Sequence, residues 1–124
     1  MGSIKKIAIL ATSVALFAVT SYAADMSKED TVKEGRKVFV TKSLGNCLAC
    51  HAVQGDSSIP QTGSLGPKLA NLDTYPRDYL VEKVMDPNKT APNTIMPPLG
   101  RNHRITKAQV EAVVTYLQEI TKAK

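Results

Sequence analysis

The sequence predicts an all-α fold, a small helical domain, on three observations. Two segments carry apolar residues at the three- and four-residue spacing that places them on one face of a helix. The first begins at Asp30 or Thr31 and reaches about Lys42, and the second begins at Thr106. Pro76 indicates a third helix, since proline suits the first helical position. No strand pattern surrounds the two cysteines of the chain.

The first helix has an apolar face formed by Val32, Gly35, Val38 and Phe39. Glycine inside a helix costs about 1 kcal/mol relative to alanine. Gly35 therefore needs a structural reason, and we expect another backbone to approach it closely, with a merely tolerated glycine as the alternative.

The second and third helices have clear starting signals. Pro76 begins a helix that reaches Met85. Thr106 and Gln109 form a capping box that opens the last helix. Its buried side is expected to consist of Val110, Val113, Val114, Leu117 and Ile120.

Between the first two helices lies a Cys-x-x-Cys-His sequence, the attachment signature of a c-type haem, formed by Cys47, Cys50 and His51. Both cysteines are expected to form thioether bonds to the haem vinyl groups. The spacing suits one turn of helix, so the imidazole of His51 can reach the iron from the same side. The sequence therefore predicts a small helical domain wrapped around one covalent haem, with electron transfer as its leading function.

Other uses of the two cysteines remain open but fit less well. A zinc site of four thiolates, or of two cysteines and a closely spaced histidine pair, cannot be built from Cys47, Cys50, His51 and His103. A thioredoxin-like dithiol needs a βαβ context, which the sequence does not offer. A simple disulfide would not need His51.

The N-terminus predicts an export signal. Lys5 and Lys6 precede an apolar run over residues 7–19, and small residues follow at Ser21 and Ala23. This run is shorter than the roughly 20 residues that span a bilayer. We expect residues 1–23 to be removed after Ala23, with cleavage after Ala24 or a retained anchor as alternatives. Export agrees with haem attachment, which takes place in the bacterial periplasm.

The remaining chain, residues 24–124, is long enough for one domain. Loss of Lys5 and Lys6 leaves fourteen basic residues against eleven acidic ones, so the formal charge falls from +5 to +3. This small excess of positive charge does not indicate a nucleic-acid-binding surface. It suits docking with an acidic partner, although a surface of mixed charge is the simpler explanation.

Two loops follow the haem motif. Residues 54–64 are polar and are expected to be exposed and mobile. Gly66 and Pro67 then predict a tight turn. The Pro67 carbonyl is expected to accept a hydrogen bond from the nitrogen of His51 that does not bind iron, because such a bond orients the ring. An ordinary turn is the alternative.

A second iron ligand is expected in the irregular segment over residues 86–105, which contains four of the seven prolines. Met96 precedes Pro97 and Pro98, and we predict that its thioether is the ligand. Met85 lies within a predicted helix and is assigned to packing, Met26 lies near the N-terminus, and His103 is expected to face solvent. Histidine and methionine together stabilise reduced iron and leave no open site for a substrate.

In this order, Gly35 with Phe39, the haem motif, Gly66-Pro67-x-Leu69 and Met96 resemble the class I cytochromes c. The resemblance covers nearly all of residues 24–124. It implies the class I cytochrome c fold, in which the N- and C-terminal helices cross near Gly35 and Tyr116.

Residues 45–51 and 94–102 also resemble the SoxX family, although Leu99 stands where phenylalanine is expected. SoxX is the monohaem subunit of the SoxAX cytochrome of bacterial sulfur oxidation. The resemblance implies a heterodimer with a SoxA-type subunit, which carries the catalytic haem and couples thiosulfate to a cysteine of the SoxYZ carrier. Electrons would pass through this chain to a small downstream c-type cytochrome. His51 and Met96 are the implied iron ligands, and no catalytic residue is implied in this chain.

Two other functions stay open from the sequence. One is a free-standing periplasmic cytochrome that shuttles electrons. The other is a thiol oxidoreductase that uses Cys47 and Cys50. None of the three predicts nucleic-acid binding or stable membrane insertion.

Overall fold

Three helices form the framework of the computed structural model, which describes residues 26–123: α1 (Lys28–Val40), α2 (Arg77–Met85) and α3 (Lys107–Ile120). Between them lie single 3-10 turns at Cys47–Ala49, Leu72–Thr74 and Pro87–Lys89. Within residues 26–123 the extended segments form only one isolated bridge, between Val53 and Leu69. The predicted all-α class is therefore confirmed. The expected signal segment, residues 1–23, lies outside the described residues.

Helix α1 begins earlier and ends earlier than predicted. Its N-cap is Ser27, whose hydroxyl oxygen accepts from the Asp30 backbone N–H and donates to the Asp30 carboxylate. Asp30 therefore lies in the first turn, where its negative charge favours the helix, and is not itself the cap. The helix ends at Val40 because Thr41 adopts an extended conformation.

Helices α2 and α3 follow their sequence signals closely. Pro76 is the residue just before α2, one position outside its predicted place. The capping box at the start of α3 is present: the Thr106 hydroxyl accepts from the Gln109 N–H, and the Gln109 side chain accepts from the Thr106 N–H.

Gly35 is the point at which α1 crosses α3. A Cβ atom built on Gly35 would lie 2.1 Å from the Ala112 carbonyl oxygen and 2.7 Å from the Tyr116 Cβ. The Phe39 and Tyr116 rings pack beside this crossing with their centroids 5.8 Å apart. The expected close approach of another backbone, and the crossing near Gly35 and Tyr116, are both confirmed.

The polar loop over residues 54–64 is exposed along most of its length, but its centre is bound to the helices. The Asp56 carboxylate accepts from Arg36 Nε of α1 and from the Tyr116 hydroxyl of α3, each at 2.8 Å. Ile59 is buried, and the Gln61 side chain accepts from the Val53 N–H. The expectation of a mobile loop is therefore wrong for this centre, whose partners lie on distant helices and leave no local pattern in the sequence.

Asp56 has an unusual electrostatic environment. Burial disfavours the charged carboxylate, but hydrogen bonds from Ser58, Tyr116 and Arg36 outweigh it and lower the pKa of Asp56 to about 2. Burial and the bond to Asp56 raise the pKa of Tyr116. The ionised carboxylate thus stabilises the contact between the loop and both helices.

We expect Asp56→Asn to lower the free energy of unfolding by about 1–3 kcal/mol at neutral pH, as is typical when a buried polar network loses a charged partner. A depressed pKa stabilises the fold above the ordinary value of 3.8, and this stabilisation is lost as the pH falls towards about 2. The difference between variant and wild type should therefore shrink over this interval. Urea unfolding at a series of pH values measures it, and a difference that does not change with pH would contradict the assignment. Asp73→Asn, at an exposed carboxylate, is the control.

None of the helices in the described part of the chain combines the length and the apolar character needed to cross a membrane.

Candidate functional site

The Cys-x-x-Cys-His sequence forms one tight turn. Asn46 introduces it in a left-handed conformation, with a φ of 50°. The Cys47 carbonyl oxygen then accepts from the Cys50 N–H at 3.1 Å and from the His51 N–H at 2.9 Å. This turn brings Cys47, Cys50 and His51 together, and the two cysteines do not form a disulfide with each other.

Cys47 lies on the inner side of the turn. Burial raises the pKa of its thiol to about 12. Gly45 allows the turn to pack closely against the end of α1. A Cβ on Gly45 would lie 3.2 Å from Cys47 Sγ and 2.8 Å from the Val38 carbonyl oxygen. A reactive dithiol requires a cysteine with a lowered pKa, so this arrangement argues against the thiol oxidoreductase.

His51 is oriented by the backbone of Pro67. Its Nδ1 lies 2.8 Å from the Pro67 carbonyl oxygen, the contact expected from the sequence. A carbonyl can only accept, so Nδ1 carries the proton and Nε2 is left with its lone pair. This is the tautomer that an iron ligand at Nε2 needs.

The Pro67 segment is held against the turn by backbone hydrogen bonds. The Gly66 N–H donates to the Cys50 carbonyl oxygen, and the Leu69 N–H donates to that of Ala52, each at 2.8 Å. The Gln54 N–H donates back to the Leu69 carbonyl oxygen. Pro67 is thus positioned independently of the hydrogen bond that it receives from His51.

Gly66 gives the His51 ring the room it occupies. A Cβ on Gly66 would lie 2.4 Å from His51 Cε1 and 2.7 Å from Nδ1. No side chain can therefore be added at Gly66 unless the ring moves away from the Pro67 carbonyl.

His51 is the iron ligand predicted from the sequence, and we expect Gly66→Ala to weaken this ligation in the haem-containing protein, because the ring must rotate and lose its 2.8 Å contact with Pro67. Losses of roughly 10–100-fold in affinity are typical when such an orienting bond is removed. The measurement is the yield of low-spin haem against pH, monitored by the Soret absorption. Ser64→Ala, at an exposed neighbouring position, should behave as wild type. A normal spectrum and acid titration for Gly66→Ala would contradict this, because the His51 ring would then accommodate the added methyl group without losing its ligand role.

Met96 lies on a separate loop, half-buried and packed against the hydrophobic core. Its backbone N–H donates to the Thr94 hydroxyl at 3.2 Å, and the Thr94 N–H donates to the Ala91 carbonyl oxygen. Asn93 adopts a left-handed conformation between them, with a φ of 65°. The chain around Met96 is therefore a series of defined turns.

The other ligand candidates have different positions. Met85 contacts Gly100, where a Cβ would lie 2.3 Å from its sulfur, so Met85 is a packing residue as predicted. His103 is exposed, as predicted, and has a φ of 54°. Met26 is exposed near the start of the described chain. Residues 26–123 hold no cluster of three or more His, Cys, Asp or Glu side chains that suits a metal ion.

The residues present fit a haem. Leu65, next to Gly66, and Ile95, next to Met96, are 71% and 79% exposed, although both are large and apolar. Tyr75 and Tyr79 are a little less than half exposed and stack on each other with ring centroids 6.1 Å apart. An apolar macrocycle beside the two ligand segments gives such side chains a partner.

A groove of about 400 Å³ lies between the chain that precedes Cys47 and the chain that follows Met96. It is lined by two cations and no carboxylate: Lys42, Leu44, Gly45, Asn46, Pro97, Pro98, Leu99, Asn102 and Arg104. This surface suits a partner with acidic groups better than a basic one.

A small helical domain built around a Cys-x-x-Cys-His turn defines a class I c-type cytochrome. The chain belongs to the cytochrome c family, whose family model matches residues 32–121. As a monohaem member it binds haem c covalently, and Cys47 and Cys50 fit the attachment.

Solved structures that are similar to the chain include a chain of the crystal structure of SoxXA from P. pantotrophus, with 25% identity and a TM-score of 0.61, over 73% of this chain and 81% of that one. They also include the c-type cytochrome SorU from Sinorhizobium meliloti, with 28% identity and a TM-score of 0.57, over 77% of this chain and 98% of that one. The SoxX resemblance seen in the sequence thus agrees with a structural relative. No curated protein matches the chain in sequence.

Asp56 and Asp86 were not anticipated from the sequence. Asp86 is buried at the end of α2, where it accepts from Arg101 Nη1 at 3.1 Å. The pair Asp86-Pro87 signals a turn, but nothing in the local pattern indicates that the carboxylate is buried.

Proposed function

We propose that this chain is the electron-transfer subunit of a SoxAX-type complex. In this complex, a SoxA-type subunit couples thiosulfate oxidatively to a cysteine of the SoxYZ carrier. The present chain accepts the electrons and passes them to a small c-type cytochrome. It acts as a non-catalytic subunit of an L-cysteine S-thiosulfotransferase.

The structural similarity to a chain of SoxXA is the observation that carries this proposal. The match spans most of both chains, and a second feature supports it. Residues 94–102, which resemble SoxX in sequence, form the ordered turns around Met96 and not a free loop.

We assign the iron ligands to His51 and Met96. The haem supplies a one-electron iron couple when bound. His51 presents Nε2 because Pro67 holds the proton on Nδ1, and Thr94 holds the backbone of Met96. A haem held by His51 and Met96 would keep no iron coordination site for a substrate, so the proposal assigns the sulfur chemistry to the partner.

The proposed location is the periplasm. It rests on the export signal predicted over residues 1–23 and on the covalent haem, which is attached in that compartment. The partner is expected to meet the groove that contains Lys42 and Arg104, because this groove adjoins both the haem-attachment turn and the Met96 loop.

A free-standing periplasmic cytochrome is the second candidate. The similarity to the c-type cytochrome SorU favours it, since the match covers 98% of that chain. Such a protein would exchange electrons by transient docking and would need no stable heterodimer.

Co-purification separates the two candidates. The tagged, haem-containing chain is isolated from its own periplasm, and associated haem proteins are identified by mass spectrometry. The proposal predicts a stoichiometric larger haem protein, and thiosulfate oxidation that is lost when this chain is deleted and restored when it is returned. A chain that runs alone, with thiosulfate oxidation unaffected by deletion, would establish the free-standing cytochrome instead.

A further inference from the structure

We infer that the Asp86–Arg101 ion pair is a clasp that holds the Met96 loop closed, so that these two side chains set how often the loop opens. The inference rests on the proposed assignment of Met96 as an iron ligand. Asp86 and Arg101 act as positioning residues, because they reach the iron only through the loop that they close.

The two ends of the loop over residues 86–101, which we call its stem, lie close together. The Arg101 N–H donates to the Met85 carbonyl oxygen at 2.9 Å, and the Gly100 N–H approaches the Val84 carbonyl oxygen at 3.5 Å. The two ends of the loop therefore meet at the last turn of α2. Met96 lies five residues from one end and ten from the other.

The ion pair adds a side-chain link to this stem. Arg101 Nη1 lies 3.1 Å from Asp86 Oδ2, and only 10% of the Asp86 side chain is exposed, against 56% of Arg101. The second oxygen, Asp86 Oδ1, is buried without a hydrogen-bond partner in the described part of the chain. Among the described side chains, Arg101 is the one that pairs directly with this carboxylate, and Lys89 adds only a longer-range charge interaction.

This asymmetry makes the two partners unequal. Loss of Arg101 leaves a buried carboxylate with neither oxygen paired to a side chain, which is more costly than the loss of one exposed charge. Loss of the Asp86 charge leaves an amide oxygen that can still accept from Arg101. The loop should therefore open more readily in Arg101→Gln than in Asp86→Asn, and Arg101→Lys should lie near the wild type. The double variant should open less readily than Arg101→Gln alone, because no buried charge is left.

Other stem contacts do not replace the clasp. Met85 packs against Gly100, but this contact is apolar and exerts little directional restraint. The Lys89–Glu82 pair joins α2 to the turn at Pro87–Lys89, on the N-terminal side of the loop only. Asp86–Arg101 is the ion pair that joins both ends of the loop.

The test measures loop opening in the oxidised, haem-containing protein by the rate at which added imidazole replaces the sulfur ligand. We expect Arg101→Gln to raise this rate at least about tenfold, which corresponds to about 1.4 kcal/mol, and Asp86→Asn to raise it less. Arg77→Gln is the matched control, because Arg77 pairs with Glu111 and joins α2 to α3 without touching the loop.

Hydrogen exchange gives a readout that does not depend on the sulfur ligand. The amides of residues 88–100 should exchange faster in Arg101→Gln than in Arg77→Gln when the two are compared at equal global stability. Equal exchange and equal imidazole rates in these two variants would overturn the clasp. If exchange is faster but the wild type shows no sulfur-to-iron band, the clasp stands and the Met96 assignment fails.

Discussion

Replacement of Met96 by leucine is expected to abolish the weak sulfur-to-iron absorption band of the oxidised protein and to lower its reduction potential. Leucine keeps the apolar volume that packs against the core, so the fold should survive. As the proposed ligand, the Met96 thioether favours reduced iron, so its loss should lower the potential by on the order of 0.1–0.2 V, within the roughly 0.8 V that axial ligation spans. Far-red absorption and a redox titration of the purified holoprotein measure the two effects.

Met85→Leu is the matched control for this experiment. Met85 is also a half-buried methionine, but its sulfur faces Gly100 and its role is packing. The far-red band and the potential should therefore be retained. A band that disappears in Met85→Leu and persists in Met96→Leu would reverse the assignment.

Gly35→Ala is expected to destabilise the fold, because the glycine lies where α1 crosses α3. The added Cβ would lie 2.1 Å from the Ala112 carbonyl oxygen, a backbone atom that cannot move without shifting α3. Overpacking of this kind costs about 1–3 kcal/mol, and helix propensity returns only about 1 kcal/mol. Because the neighbouring atom belongs to the backbone, we expect the free energy of unfolding to fall by about 2 kcal/mol in total.

Guanidinium unfolding followed by far-ultraviolet circular dichroism measures this loss. Lys33→Ala, on the exposed face of the same helix, is the control and should change the stability by less than about 0.5 kcal/mol. An equal or increased stability for Gly35→Ala would mean that the two helices can separate at little cost.

Local signals in the sequence were sufficient to predict that the three helices and the haem-attachment turn exist. The capping box at Thr106 and the proline before α2 act on neighbouring residues, so their meaning does not depend on the rest of the fold. The role of Pro67 was also predictable, since the structure shows its carbonyl at His51. Gly35 was informative for a different reason, because its cost inside a helix signals a close contact.

Long-range polar contacts could not be predicted in this way. The sequence around Asp56 indicates a solvated loop. Its partners, Arg36 and Tyr116, lie 20 and 60 residues away along the chain. Asp86 and Arg101 are fifteen residues apart, and each resembles an ordinary surface charge. Such pairs are created by the way helices pack, and a single sequence carries no periodic signal for them.

The ends of the described chain lie side by side. Lys28, in the first turn of α1, forms an ion pair with Glu119 near the end of α3, with 2.7 Å between Nζ and Oε2. The central contact of the fold therefore has a high contact order, and closing it costs chain entropy for the whole intervening sequence. A nascent chain cannot complete its core until its last helix has been made. Adjacent ends also make the domain suitable for circular permutation, with a short linker between residues 123 and 26.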